Sequence, residues 1–284
     1  MKVTKAVIPA AGRGTRFLPI TKAVPKEMMP VVDKPPLHFI AEEAVLSGAK
    51  DILIIVSGEK KCICDYFSHN AFYDALQKPG IEELNDLLSS VRFHFVTQET
   101  MNGSGNAVLL AKDFAEGEAI SVLSGDDVIY SPQNPVTKQL VDAFVKVGGK
   151  TVVGCQRREP VEVIKYAVIA YDKMDGRLAK IDDIIEKPPL EGLPSDLCSL
   201  GRFVIPYSMF DVIKETPPVN GEVFLTNAIR RVLKTEGAYA YEFEGTRYDI
   251  GDKFGYLQAN VEYALRSPLG DKVKAYLKDL TKDF

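Results

Sequence analysis

Short apolar segments alternate with amphipathic ones along the first half of the chain, which is typical of a mostly parallel sheet covered by helices. Continuous or alternating apolar runs predict buried strands at 5–8, 51–56, 91–96, 119–123 and 151–154. Amphipathic periodicity predicts helices at 36–47, 60–67, 81–90 and 134–147. The first two strands and the helix between them form a βαβ unit, which is expected to be right-handed.

The pattern loosens beyond residue 155, and Pro188 and Pro189 force an extended connection. Strands are predicted at 166–171, 178–186, 198–205 and 239–244, and helices at 225–235, 253–265 and 270–281. No repeat, low-complexity tract or linker divides the chain. We therefore predict one α/β domain over 1–284, with a mostly parallel central sheet, a smaller strand-rich insertion and C-terminal helices that either pack on the core or form a subunit contact.

Composition and charge exclude several classes of protein. The 284 residues are 46% hydrophobic and 26% charged, and their formal net charge of −4 is spread without long single-sign blocks. These values disfavour binding to a nucleic acid polymer. No apolar run approaches the roughly 18 residues of a membrane span, and the N-terminus lacks the apolar stretch of a signal peptide, so we expect a cytoplasmic protein without membrane contact. The four cysteines are expected to be reduced and mostly buried.

Candidate chemistry begins directly after the first strand, in the segment 9–19, PAAGRGTRFLP. Gly12 and Gly14, next to small alanines, allow the backbone to approach a ligand and to direct N–H groups at an anion. Phe17 occupies the third glycine position of a dinucleotide fingerprint, and no Walker motif follows. The loop continues to residue 30, and prolines at 19, 25 and 30 stiffen it. A stiff loop can hold the side chains of Arg16 and Lys26 next to phosphates with little loss of entropy on binding. The alternative is a surface turn with solvated basic residues.

Four motifs, in the same order along the chain, carry a resemblance to a known family. They are AAGRGTRFLP at 10–19, PKEM at 25–28, VDKP at 32–35 and KFGYLQA at 253–259. The chain resembles the bacterial UTP–glucose-1-phosphate uridylyltransferases. The resemblance implies a Rossmann-like nucleotidyltransferase fold, Mg²⁺ dependence and a homodimer or homotetramer. It also implies a nucleotide-binding half at 1–156, a sugar-binding half at 157–250 and C-terminal helices at 251–284.

The resemblance assigns residues to the nucleotide and to a metal ion. Asp126 and Asp249 are implied to bind Mg²⁺, a hard cation suited to two carboxylates with phosphate oxygens and waters. Asp127, next to the first acid, is left as an alternative ligand. The implied nucleotide-binding residues are Ala10, Ala11, Gly12, Gly14, Glu27, Gln98, Gly103 and Asp126.

The motif IIEKP at 184–188 is implied to bind the sugar phosphate. Glu186 would accept hydrogen bonds from sugar hydroxyls, and Lys187 would contact the phosphate as a point charge. Gly201 belongs to the same implied site. Because Pro188 follows it, Lys187 is expected to have an extended backbone.

The implied reaction joins UTP and glucose 1-phosphate into UDP-glucose and pyrophosphate, through direct in-line attack of the sugar phosphate on the α-phosphorus. The attacking phosphate monoester is already charged at neutral pH, since its second pKa is about 6, and it needs no general base. Catalysis should rest on charge neutralisation by Arg16, Lys26, Lys187 and Mg²⁺. A dTTP-dependent thymidylyltransferase and a non-catalytic nucleotide-sugar sensor are alternatives, and Phe17 disfavours a nicotinamide-dependent dehydrogenase.

Overall fold

The computed structural model describes residues 1–282, which form a large 11-stranded sheet and a second, two-stranded sheet. The strands are β1 (Lys5–Pro9), β2 (Asp51–Val56), β3 (Arg92–Thr97), β4 (Ile120–Leu123), β5 (Asp127–Tyr130), β6 (Thr151–Arg157), β7 (Ala167–Ala170), β8 (Met174–Asp175), β9 (Leu178–Lys180), β10 (Asp183–Glu186), β11 (Leu197–Ile205), β12 (Ala238–Glu242) and β13 (Thr246–Asp249).

Helices cover the sheet. The proline-containing segment after β1 contains three short 3₁₀ turns and no α-helix before residue 36. The 3₁₀ turns are Thr15–Phe17, Ile20–Lys22 and Lys26–Met28. The α-helices are α1 (Pro36–Leu46), α2 (Lys61–Tyr66), α3 (Ala71–Asp74), α4 (Pro79–Ser90), α5 (Ser104–Leu109), α6 (Lys112–Ala115), α7 (Val136–Lys146), α8 (Pro160–Val163), α9 (Met209–Lys214), α10 (Leu225–Val232), α11 (Lys253–Arg266) and α12 (Gly270–Leu280).

The main path of the large sheet has the order β3-β2-β1-β4-β11-β6-β12-β9-β8. Strands β1 to β4 pair in parallel, as do β6 and β12. Strand β11 is antiparallel to both β4 and β6, so it joins two groups of strands that run in the same direction. The predicted α/β class with a mostly parallel central sheet is confirmed. Strands β7 and β10 pair with each other, and β7 also pairs with β11, which forms the strand-rich insertion.

Both faces of the central strands are buried, as their continuous apolar sequences predict. Alternate side chains of β1 enter two different clusters: Val7 belongs to a cluster with residues of α5, α9 and α10, whereas Ala6 and Ile8 belong to one with residues of α1. The carboxyl ends of these strands therefore lie between two packed layers of helices, where α/β proteins bind ligands.

Several details differ from the sequence prediction. The predicted strand at 178–186 is two strands, β9 and β10, and the short elements β5, β8, β13, α3, α5, α6, α8 and α9 were not predicted. Helix α11 buries Gly255 and Ala259, whereas α12 has no buried residue. The four cysteines are free as expected, but the expectation that they are mostly buried is wrong for Cys62, which is exposed in the short helix α2. Within residues 1–282, no helix has the length and apolar character needed to span a membrane.

Candidate active site

Three adjoining cavities lie beside the carboxyl end of β1 and the segment that follows β4. The loop cavity has a volume of about 290 Å³ and contains the glycine-loop residues Ala11 and Gly12 together with Lys26, Glu27 and Gln98. The carboxylate cavity, of about 650 Å³, is lined by Asp126, Asp127, Asp249, Arg16 and Lys187 among others. The inner cavity, of about 180 Å³, is lined by Tyr166, Ala167, Glu186, Phe224 and Thr226 among others. Asp126 lines both the loop cavity and the carboxylate cavity.

The glycine loop is fastened to its surroundings by a buried lysine that the sequence analysis did not single out. Lys60 donates hydrogen bonds from Nζ to the carbonyl oxygens of Ala10 and Gly12, both at 2.6 Å, and to Glu27 Oε2 at 2.8 Å. Burial raises the pKa of Glu27 and lowers that of Lys60, since it disfavours both charges. Glu27 is thus near the predicted nucleotide site, but one of its carboxylate oxygens is bound to Lys60.

Gly14 and Gly103 are required by the local backbone and packing. Gly14 has a φ of +63°, and its carbonyl oxygen accepts a hydrogen bond from Thr21 Oγ1 at 2.9 Å. Gly103 has a φ of +109°, and a Cβ there would lie only 2.4 Å from the carbonyl oxygen of Val223. Gly103 lines the loop cavity, whereas Gly14 and Ala10 are not among its lining residues. Gln98 is 7% exposed and also lines this cavity.

Lys26 and Asp126 form an ion pair at the junction of the loop and carboxylate cavities. Desolvation alone would lower the pKa of Lys26, but the carboxylates of Asp126 and Glu27 raise it above its ordinary value. Desolvation would likewise raise the pKa of Asp126, but the Lys26 ammonium lowers it. Both groups are therefore charged at neutral pH.

A buried arginine connects the acids of the carboxylate cavity. Arg247 and Asp249 are two residues apart on β13, so they face the same side, and Asp249 is opposite Asp127 in the pairing with β5. The Arg247 guanidinium forms an ion pair with Asp127 and lies 3.5 Å from Asp249 Oδ2. Tyr166 completes the group, because its hydroxyl donates to Asp249 Oδ2 at 3.0 Å and accepts from Arg247 Nη1 at 3.0 Å.

The two acids implied to bind metal face a common space above Gly251. A Cβ at Gly251 would lie 3.1 Å from both Asp126 Oδ2 and Asp249 Oδ1. Asp127 has a different environment, since it pairs with Arg247 and since a Cβ at Gly201 would lie 2.0 Å from its Oδ2. No cluster of three or more His, Cys, Asp and Glu suited to a metal occurs within 1–282. Two converging carboxylates nevertheless fit Mg²⁺, which keeps several waters and takes phosphate oxygens from a substrate.

Arg16 and Lys187 both line the carboxylate cavity with exposed side chains. Arg16 donates from Nη1 to the carbonyl oxygen of Gly251 at 3.4 Å. The expectation that Pro188 gives Lys187 an extended backbone is wrong, because Lys187 has a φ of +43°. The N–H of Lys187 donates to the carbonyl oxygen of Tyr166 at 3.1 Å, and this bond holds the left-handed turn where β10 ends.

Glu186 and Gly201, both predicted to contact the sugar phosphate, line the inner cavity together. Glu186 lines the inner cavity, where its Oε2 accepts a hydrogen bond from Thr226 Oγ1 at 2.7 Å. Gly201, with a φ of +60°, lines both the inner and the carboxylate cavities. Lys187 Nζ lies 5.8 Å from the ring centre of Phe224 at the same inner cavity. The predicted sugar-phosphate residues thus lie around two adjoining cavities, and Gly201 lines both.

Comparisons with known proteins agree with this arrangement. The family model for nucleotidyl transferases matches residues 5–266. The UTP–glucose-1-phosphate uridylyltransferase YngB of Bacillus subtilis is 42% identical over 288 residues, covering 99% of this chain and 96% of YngB. A UDP-glucose pyrophosphorylase crystallised with UDP-glucose matches with a TM-score of 0.87 at 33% identity, over 94% of this chain and 100% of that one. A UTP-bound enzyme of the same kind from Acinetobacter baumannii gives 0.88 at 30% identity, over 99% of this chain and 100% of that one.

The chain belongs to the UTP–glucose-1-phosphate uridylyltransferase family of nucleotidyl transferases. This membership confirms the resemblance found in the sequence and sets aside the dehydrogenase alternative.

Three polar residues in this uridylyltransferase fold were missed by the sequence analysis. They are Lys60, Tyr166 and Arg247, and each contacts a predicted site residue. Strand alternation on either side of Asp249 was the available signal for Arg247. No sequence signal pointed to Lys60, because its partners are 33 or more residues away.

Proposed function

We propose that this chain transfers UMP from UTP to glucose 1-phosphate, with Mg²⁺ as cofactor, to give UDP-glucose and pyrophosphate. The observation that carries the proposal is the position of Asp126. It lines both the glycine-loop cavity and the cavity that contains Asp249, and it is paired with Lys26. A nucleotide in the first cavity would therefore place its phosphates among these charges.

Residues of the loop cavity suit a nucleoside triphosphate. Gln98 offers an amide, whose donor and acceptor together match the imide edge of uracil. Ala11 and Gly12 have no large side chains, so phosphates can approach the loop backbone closely. Lys26, at the junction with the carboxylate cavity, would neutralise the charge of the phosphate chain.

Residues of the inner cavity suit a hexose, and its rim suits the attached phosphate. Thr226 already donates a hydrogen bond to Glu186. The Glu186 carboxylate can accept further hydrogen bonds from sugar hydroxyls, and the Thr226 hydroxyl can also accept one. Lys187 and Arg16 would bind the phosphate and align its oxygen with the α-phosphorus of UTP. This nucleophile is charged at neutral pH, so positioning and charge neutralisation are sufficient and no general base is needed.

Asp126 and Asp249 are the residues that would hold Mg²⁺, since their oxygens face a common space. When bound, the ion would supply positive charge to the phosphates and help to orient them. Arg247 and Tyr166 keep Asp249 in place through contacts with its Oδ2.

The test is pyrophosphate release by the purified protein, with UTP or dTTP and a panel of hexose 1-phosphates. We expect release that is fastest with UTP and glucose 1-phosphate and that stops when EDTA removes Mg²⁺. Faster release with dTTP would instead support a thymidylyltransferase. Tight binding of UDP-glucose without any release would support a non-catalytic sensor.

Assembly, location and division of labour along the chain stay predictions. Homodimer or homotetramer formation is supported by exposed apolar side chains on α11 and around α12: Leu257, Leu265, Leu269, Tyr276 and Leu280. A cytoplasmic location agrees with a reaction between two small phosphorylated metabolites. For the division into a nucleotide-binding half, 1–156, and a sugar-binding half, 157–250, the support is that most residues of the loop cavity fall in the first range and most residues of the inner cavity in the second. Pro9 and Ser124 nevertheless line the inner cavity, and Glu222 lines the loop cavity.

A further inference from the structure

Lys60 is a buried cation whose donors are all used inside the protein. Its side chain is 8% exposed, and an ammonium has three N–H donors. These three donors match its three acceptors, the carbonyl oxygens of Ala10 and Gly12 and the carboxylate of Glu27. Lys60 is not among the residues that line the loop cavity. It therefore has neither a free donor nor a surface with which to contact a ligand.

The two carbonyl contacts fix the direction of two peptide groups in the glycine loop. In a planar trans peptide, the C=O of one residue and the N–H of the next point in opposite directions. Because the carbonyls of Ala10 and Gly12 point towards Lys60, the N–H groups of Ala11 and Arg13 point away from it. Within the described residues, 1–282, neither N–H has a protein acceptor.

We propose that Lys60 is a positioning residue that orients the glycine loop for binding the phosphates of the nucleotide. Its hydrogen bonds hold the carbonyls of Ala10 and Gly12 on the Lys60 side of the loop, so the N–H groups of the same two peptides, those of Ala11 and Arg13, are available to an anion on the other side. The loop is then preorganised, and less conformational freedom is lost when the nucleotide binds. This inference rests on the proposed function.

The charge of Lys60 does not account for such a role. Glu27 Oε2 lies 2.8 Å from Lys60 Nζ, so the pair has no net charge and attracts a distant polyanion weakly. The third contact also connects the loop to the 3₁₀ turn Lys26–Met28, which carries Lys26. Lys60 thus connects the glycine loop to the turn at Lys26–Met28, and both segments line the loop cavity.

Lys60→Met tests the inference, with Lys61→Met as the matched control. Lys61 is the next residue on the chain and is exposed. UTP affinity is measured by isothermal titration calorimetry in EDTA, so the readout requires neither Mg²⁺ nor turnover. We expect the UTP dissociation constant of Lys60→Met to rise about 10- to 100-fold, the range for lost hydrogen bonds to a charged group. The control should bind as the wild type does, and the KM for glucose 1-phosphate should stay within about threefold in both variants.

Wild-type UTP affinity in Lys60→Met would overturn the inference, as would equal losses for UTP and glucose 1-phosphate. Lys60→Met leaves Glu27 as an unpaired buried charge, which can prevent folding. In that case UTP affinity is compared between Glu27→Gln and the double variant Glu27→Gln/Lys60→Met. The double variant has neither of the two buried charges. The same difference of about tenfold is required there. A wild-type protein that binds UTP but releases no pyrophosphate would refute the proposed function alone, whereas a wild type that does not bind UTP would refute both.

Discussion

The Asp126 carboxylate lies beside one cation, the ammonium of Lys26, and shares a space with a second carboxylate, Asp249. Asp126→Asn keeps the size of the side chain and removes its charge. We expect turnover to fall at least about 100-fold, since one charged group at the reacting phosphates is lost. Mg²⁺-dependent pyrophosphate release measures the effect, and the thermal unfolding midpoint should stay close to that of the wild type. Substantial Mg²⁺-dependent turnover would contradict the assignment.

Lys187 is the second residue whose side chain can be tested alone. Its ammonium is exposed at the carboxylate cavity, so Lys187→Ala leaves the core intact. We expect glucose 1-phosphate binding to weaken by about 1.5–3 kcal/mol, the range for a hydrogen bond to a charged group. The KM for glucose 1-phosphate measures this loss at saturating UTP. Lys173→Ala, at an exposed lysine outside the three cavities, is the control, and an unchanged KM in Lys187→Ala would refute the role.

Among the secondary-structure elements, some charged residues at strand ends lie away from the proposed site and stabilise pairing between strands. Asp51 begins β2 and is opposite Arg92 of β3. Its carboxylate accepts hydrogen bonds from Arg92 at 2.7 and 2.8 Å and lies 3.0 Å from His94 Nε2. These contacts, chiefly that with Arg92, lower the pKa of Asp51 to about 2.

This lowered pKa predicts a pH dependence of stability. Because the pKa of Asp51 falls on folding, its ionised form stabilises the folded chain above pH 4, and the contribution disappears as the pH falls towards about 2. We expect about 1 kcal/mol, since Arg92 is largely exposed and solvent weakens the pair. Urea unfolding at pH 5 and pH 3 should show a smaller loss of stability for Asp51→Asn than for the wild type. Equal losses would contradict the prediction.

Element prediction succeeded where the pattern is long and failed where it is short. The strands at 51–56 and 119–123 have enough consecutive apolar residues to be recognised without their neighbours. Strand β5, of four residues, exists because β13 pairs with it, and this partner is more than 100 residues away. Helices of four to six residues, such as α6 and α9, depend on tertiary packing in the same way.

For the whole molecule, a buried ion pair connects the first helix to the middle of the sheet. Arg202 of β11 is 1% exposed and binds both carboxylate oxygens of Glu43 on α1, at 3.0 and 2.7 Å. It also donates to the carbonyl oxygen of Asp127 at 2.8 Å, and Thr137 of α7 donates to Glu43. Four elements from distant parts of the chain, α1, β5, α7 and β11, therefore meet at this ion pair.

Arg202→Met should destabilise the fold by about 3–5 kcal/mol, because it leaves the Glu43 carboxylate buried without its counter-charge. Urea unfolding measures the free energy of unfolding. The double variant Arg202→Met/Glu43→Gln should recover part of the loss, since no buried charge remains. A cost below about 1 kcal/mol for the single variant would show that water reaches Glu43.

The sequence was sufficient to predict residues of the candidate site, but not which of them contact each other. Motif resemblance was sufficient to assign Asp126 and Asp249 as candidates. The contact of Asp126 with Lys26, 100 residues earlier, and the contacts of Arg247 depend on strand order, which no local pattern encodes. The backbone of Lys187 was mispredicted for a similar reason, since its N–H bond to Tyr166 is a tertiary contact.

Lys26 binds the same oxygen of Asp126 that faces Asp249 across Gly251. This ammonium is a counter-ion that reduces the repulsion between the two acids. If Mg²⁺ binds there as proposed, it would compete with Lys26 for Asp126, and the polyphosphate of a nucleotide would offer the displaced ammonium a new partner. Under the proposed function, metal and nucleotide would each bind more tightly in the presence of the other, because both would interact with the Lys26–Asp126 pair.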